Sequence, residues 1–223
     1  MKVIVINGSP KKNGATAKLL HCIENELSAK DSVEIEYIDI SKLSFKPCSG
    51  CLSCYRTGKC PIDDEAERLS ERIEGADALI IGSPTYASNI SGQLKTFIDR
   101  CHFVIEQLLI RKYSVAVTTG VNYGTKDANK ILRSLMQYSG AYISGSIACN
   151  VPFNSDPCDD RMKERIRRLS DRLYEDMRRK QVHPFQRLFH SIIFSFGIKP
   201  FVLKQGAAYK GVTDKWERYG IKI

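Results

Sequence analysis

Short apolar runs alternate with stretches of helical periodicity through the first 150 residues. Residues 2–7 form a compact β-branched run stopped by Asn7-Gly8, and they predict the first strand. A helix is expected from about Gly14, because Leu19, Leu20, Ile23 and Leu27 fall on one face. Residues 33–38 predict a second strand. A helix over 62–74 follows, with Ile62, Ala66, Leu69 and Ile73 inward and Asp63, Asp64 and Glu65 in its first turn, where the helix dipole favours negative charge. Strands at 78–82, 113–118 and 141–149 complete the series. Between them lie helices carrying Leu94, Phe97, Ile98, Cys101 and Ile105, then Ala128, Ile131, Leu132 and Leu135. Such alternation implies an α/β fold: a five-stranded parallel sheet with helices on both faces and right-handed crossovers. Ligands in open sheets of this kind bind at the carboxyl ends of strands where the strand order reverses. The loops after strands one, three and four are therefore the places to look for chemistry.

Beyond this body the pattern changes. Residues 159–180 read as a helix with Met162, Ile166, Leu169, Leu173 and Met177 inward and cations largely outward. A second helix is expected after Pro184, with Phe185, Leu188, Phe189, Ile192, Ile193 and Phe196 in one apolar stripe, ended by Gly197 and Pro200. Something must cover that stripe; a second subunit is the first expectation, the chain's own core the second, and a membrane surface the third. No Gly-, Ser- or Pro-rich linker separates the sections. We expect a domain over residues 1–158 and a basic C-terminal helical extension over 159–223, in the same domain or at a subunit interface.

Charge supports that division. Of the 34 Lys/Arg and 25 Asp/Glu, residues 161–223 hold 16 and 6, so the body is near neutral and the extension carries the excess. A solvated helix face is the simplest expectation, and a uniformly basic nucleic-acid binder would not look like this. No stretch approaches the roughly 20 apolar residues of a membrane span. The first residues lack a signal-peptide core, which leads us to expect a cytoplasmic protein. Eight cysteines are many for that compartment, and four of them (Cys48, Cys51, Cys54, Cys60) fall in one loop at 46–61. A reducing compartment makes metal or redox chemistry a better expectation for them than a disulfide frame. Of the other four, Cys22 and Cys101 lie on apolar helix faces and read as core, whereas Cys149 and Cys158, around the prolines of the 149–158 segment, have no explanation in the pattern.

The loop after strand one reads Asn7-Gly8-Ser9-Pro10-Lys11-Lys12-Asn13-Gly14-Ala15-Thr16 and runs straight into a helix. Free N–H groups at a helix start, hydroxyls, an amide and a cation suit a phosphate dianion. The loop has neither the ending of a nucleotide-hydrolysing loop nor a dinucleotide fingerprint. After strand three, Pro84-Thr85-Tyr86-Ala87-Ser88-Asn89-Ile90 offers a ring and amides to a polar heterocycle. After strand four, the glycines of Thr119-Gly120-Val121-Asn122-Tyr123-Gly124 permit close backbone approach to a flat ligand.

Gly-Ser-Pro-x-x-x-Gly-x-Thr followed by Ser-Pro-Thr-Tyr-x-x-x-Ile-x-Gly-x-Leu-Lys resembles the NADPH-dependent FMN reductase family of the flavodoxin-like superfold, over roughly residues 1–150. The resemblance implies a doubly wound sheet of order 2-1-3-4-5. It implies that Ser9, Lys11, Asn13, Gly14, Ala15 and Thr16 hold the FMN phosphate. Pro84, Thr85, Tyr86, Asn89 and Ile90 would line the ribityl chain and ring edge, and Thr119, Gly120, Tyr123 and Gly124 would close the other side. Cys48-x2-Cys51-x2-Cys54-x5-Cys60 looks like the compact motif of the iron–sulfur flavoprotein branch, whose thiolates converge on a [4Fe–4S] cluster. Zinc and free or redox-sensitive thiols stay open beside it.

By that resemblance the chain is an FMN-dependent oxidoreductase or electron-transfer flavoprotein, fed by NAD(P)H or ferredoxin and passing electrons to a small-molecule or redox-protein partner. The ring performs the redox step, so no side chain is singled out as a catalytic acid or base. The alternatives are a cluster-free NAD(P)H:FMN, quinone or nitro reductase, and, from another class, a thiol-based redox sensor. A homodimer or homotetramer is expected, with no nucleic acid and no membrane span.

Overall fold

The structure, a computed structural model, describes every residue except Asn154 and Ile223. In chain order the body consists of β1 (Lys2–Asn7), α1 (Ala15–Ser28), β2 (Glu34–Asp39), α2 (Ser53–Thr57), α3 (Glu65–Glu74), β3 (Ala78–Pro84), α4 (Gly92–Arg100), α5 (Phe103–Glu106), β4 (Tyr113–Gly120), α6 (Thr125–Tyr138) and β5 (Tyr142–Asn150). The strands form one parallel sheet in the order β2-β1-β3-β4-β5, as the resemblance implies. β1 and β3 are buried almost throughout, which is why they read as continuous apolar runs without alternation.

Two hydrophobic layers clamp the sheet. Val3, Val5, Ile80, Val115 and Val117 meet α1 and the long helix α7 (Asp160–Arg179) through Leu19, Ile23, Ile166 and Leu173. Ile4, Ile6, Leu79 and Ile81 meet α3, α4 and α6 through Leu69, Leu94, Phe97 and Leu132. Thus α7 belongs to the body: its apolar stripe covers the sheet and its cations face water. Cys22 of α1 touches Cys158, just before α7, so Cys158 partners Cys22 and not Cys149.

Several local expectations change. α3 starts at Glu65, because the Asp64 side chain accepts from the Ala66 N–H and so serves as the cap. α4 stops at Arg100: His102 and Gln107 adopt left-handed backbone, which sets the short α5 apart and detaches Ile105 from α4. Ile131 lies on the outer side of α6 and is exposed. Gly197 and Pro200 do not end the helix after α8 (Pro184–Ile193). The chain passes through a wider turn over Phe194–Ile198, in which the Lys199 N–H reaches back five residues to the Phe194 carbonyl. That places Pro200 in the first turn of α9 (Lys199–Lys204), where its missing N–H costs nothing.

The extension also builds a third core. Phe194, Ile198, Val202, Tyr209, Val212 and Trp216 pack together, the last two from α10 (Lys210–Arg218), and gather in Tyr55, Val104 and Ile105 from the body. The expected stripe is left largely uncovered: Phe194, which lies outside it, turns inward, whereas its members Phe185 (86% exposed) and Phe196 (82%) stand in solvent, and Ile193 alone of the stripe packs on the third core. The chain's own core does not cover that face.

Candidate functional site

The carboxyl ends of β1, β3 and β4 are stitched into one surface. The Gly8 N–H donates to the Gly82 carbonyl (2.8 Å), the Ser91 hydroxyl to the Gly8 carbonyl (2.6 Å), and the Ser91 N–H to the Ser83 hydroxyl (2.9 Å). Between them, the loop of β1 curls under the start of α1. The Ser9 N–H donates to Asn7 Oδ1, and the Ser9 hydroxyl accepts from the Lys11 N–H. Gly14 stands at the cap position with no side-chain bond to the helix start, which leaves the first N–H groups of α1 pointing outward. The buried Thr16 hydroxyl meets the Thr119 hydroxyl at 2.7 Å, so the loops of β1 and β4 share a wall.

The loop of β3 turns sharply. Tyr86 and Asn89 exchange both backbone bonds at 2.9 Å around Ala87 (φ 49°) and Ser88 (φ 59°). Two non-glycine residues in left-handed backbone cost about 1–3 kcal/mol each and persist only where the surroundings fix them. The fixing neighbour is Gly124 (φ 80°), where a β-carbon would fall 2.7 Å from Ser88. The Thr85 N–H bonds the Thr119 carbonyl, and Asn150 holds the far side through Thr125 Oγ1 and the Asn122 carbonyl. The rings of Tyr86 and Tyr123 project from this rim and are exposed.

The second group of candidates lies at the other end of α4. Cys48, Cys51, Cys54 and Cys60 all line one cavity of about 160 Å³, shared with Tyr55, Ile62, Arg100 and His102. Cys54 is buried, Cys60 half-buried, and Cys48 and Cys51 exposed. Burial pushes the Cys54 thiol up to about 12, whereas the Ser53 backbone N–H holds the Cys51 thiol below its ordinary value. A buried thiol that resists ionisation needs a positive partner before it can serve as a ligand. Among the described residues no three His, Cys, Asp or Glu side chains converge on single-ion distance. Four thiols spread around one cavity fit a polynuclear cluster better than one zinc ion.

The extension packs behind α2 and Tyr55, which line this cavity. Gly211 of α10 lies against Gly58, the left-handed residue that ends α2; a β-carbon on Gly211 would fall 2.7 Å from the Gly58 Cα and from the Thr57 carbonyl carbon. Tyr55 packs on Tyr209 (ring centroids 4.8 Å) and edge-on to His102 (5.2 Å). Behind His102, buried Glu106 pairs with Lys215, and the Trp216 indole N–H donates to the Ile105 carbonyl.

The model of the NADPH-dependent FMN reductase family matches residues 1–156. An iron–sulfur flavoprotein of Clostridioides difficile strain 630 is 36% identical over 224 residues, covering 99% of this chain and all of that relative. The chain belongs to this FMN reductase family. An iron–sulfur flavoprotein of Methanocaldococcus jannaschii is 40% identical over 100 residues, 45% of this chain and 51% of the relative. A flavodoxin from the domain Archaea shares the fold, with a TM-score of 0.55 at 16% identity over 80% of this chain and 99% of that one. This member of the family is an oxidoreductase and a flavoprotein.

As a test of FMN, the cradle holds unspent bonding capacity where a phosphate and a polar chain need it. The α1 start has no side-chain cap, and Thr85 Oγ1 is buried without a partner among the described residues. The residues fit the group. Of the candidates, Ser9, Lys11, Asn13, Gly14, Ala15 and Thr16 lie together on the β1 loop, and Pro84, Thr85, Tyr86, Asn89, Thr119, Gly120, Tyr123 and Gly124 on the facing rim. Ile90 is the exception: its side chain belongs to the core, and only its N–H serves the loop, bonding Asn89 Oδ1. Sequence reasoning missed Asn150 and the Arg100–His102 stretch. An Asn closing a strand carries no distinctive signal, and His102 stands 48 residues from Cys54, so nothing local marks the pair. A cleft of about 1140 Å³ lies at the opposite end of the sheet, between Tyr113, Tyr142 and His190, and contains no candidate residue.

Within the 149–158 segment, the Val151 N–H bonds the Gly120 carbonyl and Phe153 is exposed; Asn154 lies outside the described residues. No helix among the described residues is long and apolar enough to cross a membrane.

Proposed function

We propose that this oxidoreductase binds FMN on the loops of β1, β3 and β4 and a [4Fe–4S] cluster on Cys48, Cys51, Cys54 and Cys60, taking electrons from NAD(P)H or ferredoxin and delivering them to a small acceptor. FMN supplies hydride or electron acceptance at N5 and one-electron release, and the cluster supplies single-electron storage. The chain's own residues bind and orient. The N–H groups of Ala15 and Thr16, with Ser9, Asn13 and Lys11, take the phosphate charge. Thr85 and Asn89 present polar atoms to the ribityl chain and ring edge, while Tyr86 and Tyr123 flank the ring and exclude water. The observation that carries the proposal is that all four cysteines open into one cavity, at the end of the same helix whose start is tied to the phosphate loop.

The exposed stripe on α8 supports a homo-oligomer, in which Phe185, Leu188, Ile192 and Phe196 meet a second copy. The deciding experiment is a visible spectrum of protein purified without oxygen, with iron and acid-labile sulfide counted per flavin. About four of each per FMN supports the whole proposal. Flavin without iron leaves a cluster-free NAD(P)H:FMN, quinone or nitro reductase, and no flavin even after FMN is added refutes the central claim. Stopped-flow mixing with NADH, NADPH and reduced ferredoxin then identifies the donor by which one bleaches the flavin.

A further inference from the structure

Arg100 is the most thoroughly buried cation of the chain's cysteine region, with a side chain 1% exposed. Nη1 donates to the Lys46 carbonyl (2.7 Å) and to Asp64 Oδ2 (2.8 Å). Nη2 donates to the Ile62 carbonyl (3.1 Å), Asp64 Oδ1 (3.0 Å) and the Cys60 sulfur (3.4 Å). One guanidinium thus ties both ends of the 46–61 loop and touches a cysteine inside it. Nη2 has only two hydrogens for its three acceptors, so the sulfur competes with a carbonyl and a carboxylate for the same donor. Asp64 does not cancel the Arg100 charge at full strength, because it also accepts from the Lys46 and Ala66 N–H groups. Two residues further on, His102 Nδ1 lies 3.8 Å from the Cys54 sulfur. The two inner cysteines therefore each face a nitrogen from one short stretch, whereas Cys48 and Cys51 are exposed.

We propose that Arg100 is a positioning residue that sets the reduction potential of the cysteine-bound cluster, by donating to Cys60 from a buried site; this rests on the cluster assignment above. Reduction adds one electron and no proton, and part of the new charge falls on the ligand sulfurs. A more negative sulfur competes better for Nη2, so the Arg100–Cys60 bond strengthens in the reduced state and raises the potential. Asp64 opposes this by holding the same nitrogen.

The test uses full-length protein reconstituted without oxygen, with iron and sulfide counted and the midpoint potential taken from an EPR-monitored titration. Arg100→Met should move the midpoint to more negative values, Arg100→Lys should move it less, and Asp64→Asn should move it the opposite way by freeing Nη2 for the sulfur. If Arg100→Met assembles no cluster, Arg100→Lys and Asp64→Asn decide. Assembled centres with wild-type potential in both variants would leave Arg100 a purely structural tie and overturn the proposal. Wild-type protein that takes up no iron would instead overturn the cluster assignment and this proposal with it.

Discussion

Adding a single methyl group to Gly211 pits helix propensity against packing. In a helix Ala is favoured over Gly by about 0.8–1 kcal/mol, and less near the first turn, so propensity alone predicts a more stable protein. Packing predicts the reverse. The new β-carbon would fall 2.7 Å from the Gly58 Cα and the Thr57 carbonyl carbon, inside the 3.0 Å that real β-carbons respect, and both obstacles are backbone. α2 cannot retreat cheaply, since Tyr55 is held between Tyr209 and His102. Overpacking of this kind costs roughly 1–3 kcal/mol, so the net effect is a loss of about 1–2 kcal/mol. For a chain of this size that corresponds to a fall in Tm of about 2–8 °C. Because α10 seats on the cysteine helix, the damage should be local: Cys54, buried in the wild type, should react faster with a thiol reagent at temperatures well below Tm. Gly197→Ala is the control. It has nothing within 4 Å of the added carbon and should leave stability equal or slightly higher. A Gly211→Ala protein as stable as the wild type, with Cys54 still protected, would show that α10 does not hold the cysteine helix in place.

Thr85→Val removes a buried hydroxyl that has no protein partner, so the fold should be unaffected while FMN affinity, measured by fluorescence quenching, falls about 2- to 12-fold, the range of a 0.5–1.5 kcal/mol hydrogen bond; unchanged affinity would remove Thr85 from the flavin site. Trp216 is fully buried at the centre of the third core, and Trp216→Ala should cost about 3–5 kcal/mol in urea denaturation. Burial pushes Glu106 up to about 7, against the pull of Lys215, from an ordinary value near 4.5. The native state therefore holds a proton that the unfolded chain has released between those values, and stability should decline as pH rises from about 5 to 7. Glu106→Gln should flatten that slope, and a slope unchanged in the variant would assign it elsewhere. Phe185→Asp with Phe196→Asp places charge on the exposed stripe without touching the third core; if a second copy covers that face, the native mass in solution should drop to that of one chain.

Strand positions were legible because β1 and β3 are buried on both faces and therefore read as unbroken apolar runs. The loop after β1 stood out as a candidate phosphate site for a local reason: a strand, a glycine-bounded turn and a helix start lie within sixteen residues, and hydroxyls and amides stand among them. The extension was harder. Its stripe predicted a helix but placed Phe196 on the apolar face and left Phe194 off it, whereas Phe194 turns into the third core and Phe196 stands in solvent two residues later. That choice is made by the widened turn at Phe194–Ile198, and helical periodicity assumes 3.6 residues per turn throughout. Arg100 was illegible for the opposite reason. A lone cation at the end of an amphipathic helix ordinarily reads as a solvated C-terminal charge, and only the folded chain brings the carbonyls of Lys46 and Ile62 around it.

α4 makes the two candidate sites mechanically one. Its cap residue Ser91 is bonded to Gly8 and Ser83 at the edge of the proposed flavin site, and its last residue, Arg100, carries the cysteine loop. At 1.5 Å per residue its nine residues span about 13 Å. The buried face of the helix, Leu94 and Phe97, is locked in the sheet core, so neither end shifts without disturbing that packing. A flavodoxin-like sheet by itself fixes only the strand ends and the loops that leave them. The cysteine loop, with little regular structure beyond the five residues of α2, has no such scaffold and takes its position from Arg100 on one side and from Gly211 and Tyr209 on the other. The extension is thereby accounted for: α7 completes the sheet layer, and α10 braces from behind the helix and ring that line the cysteine cavity.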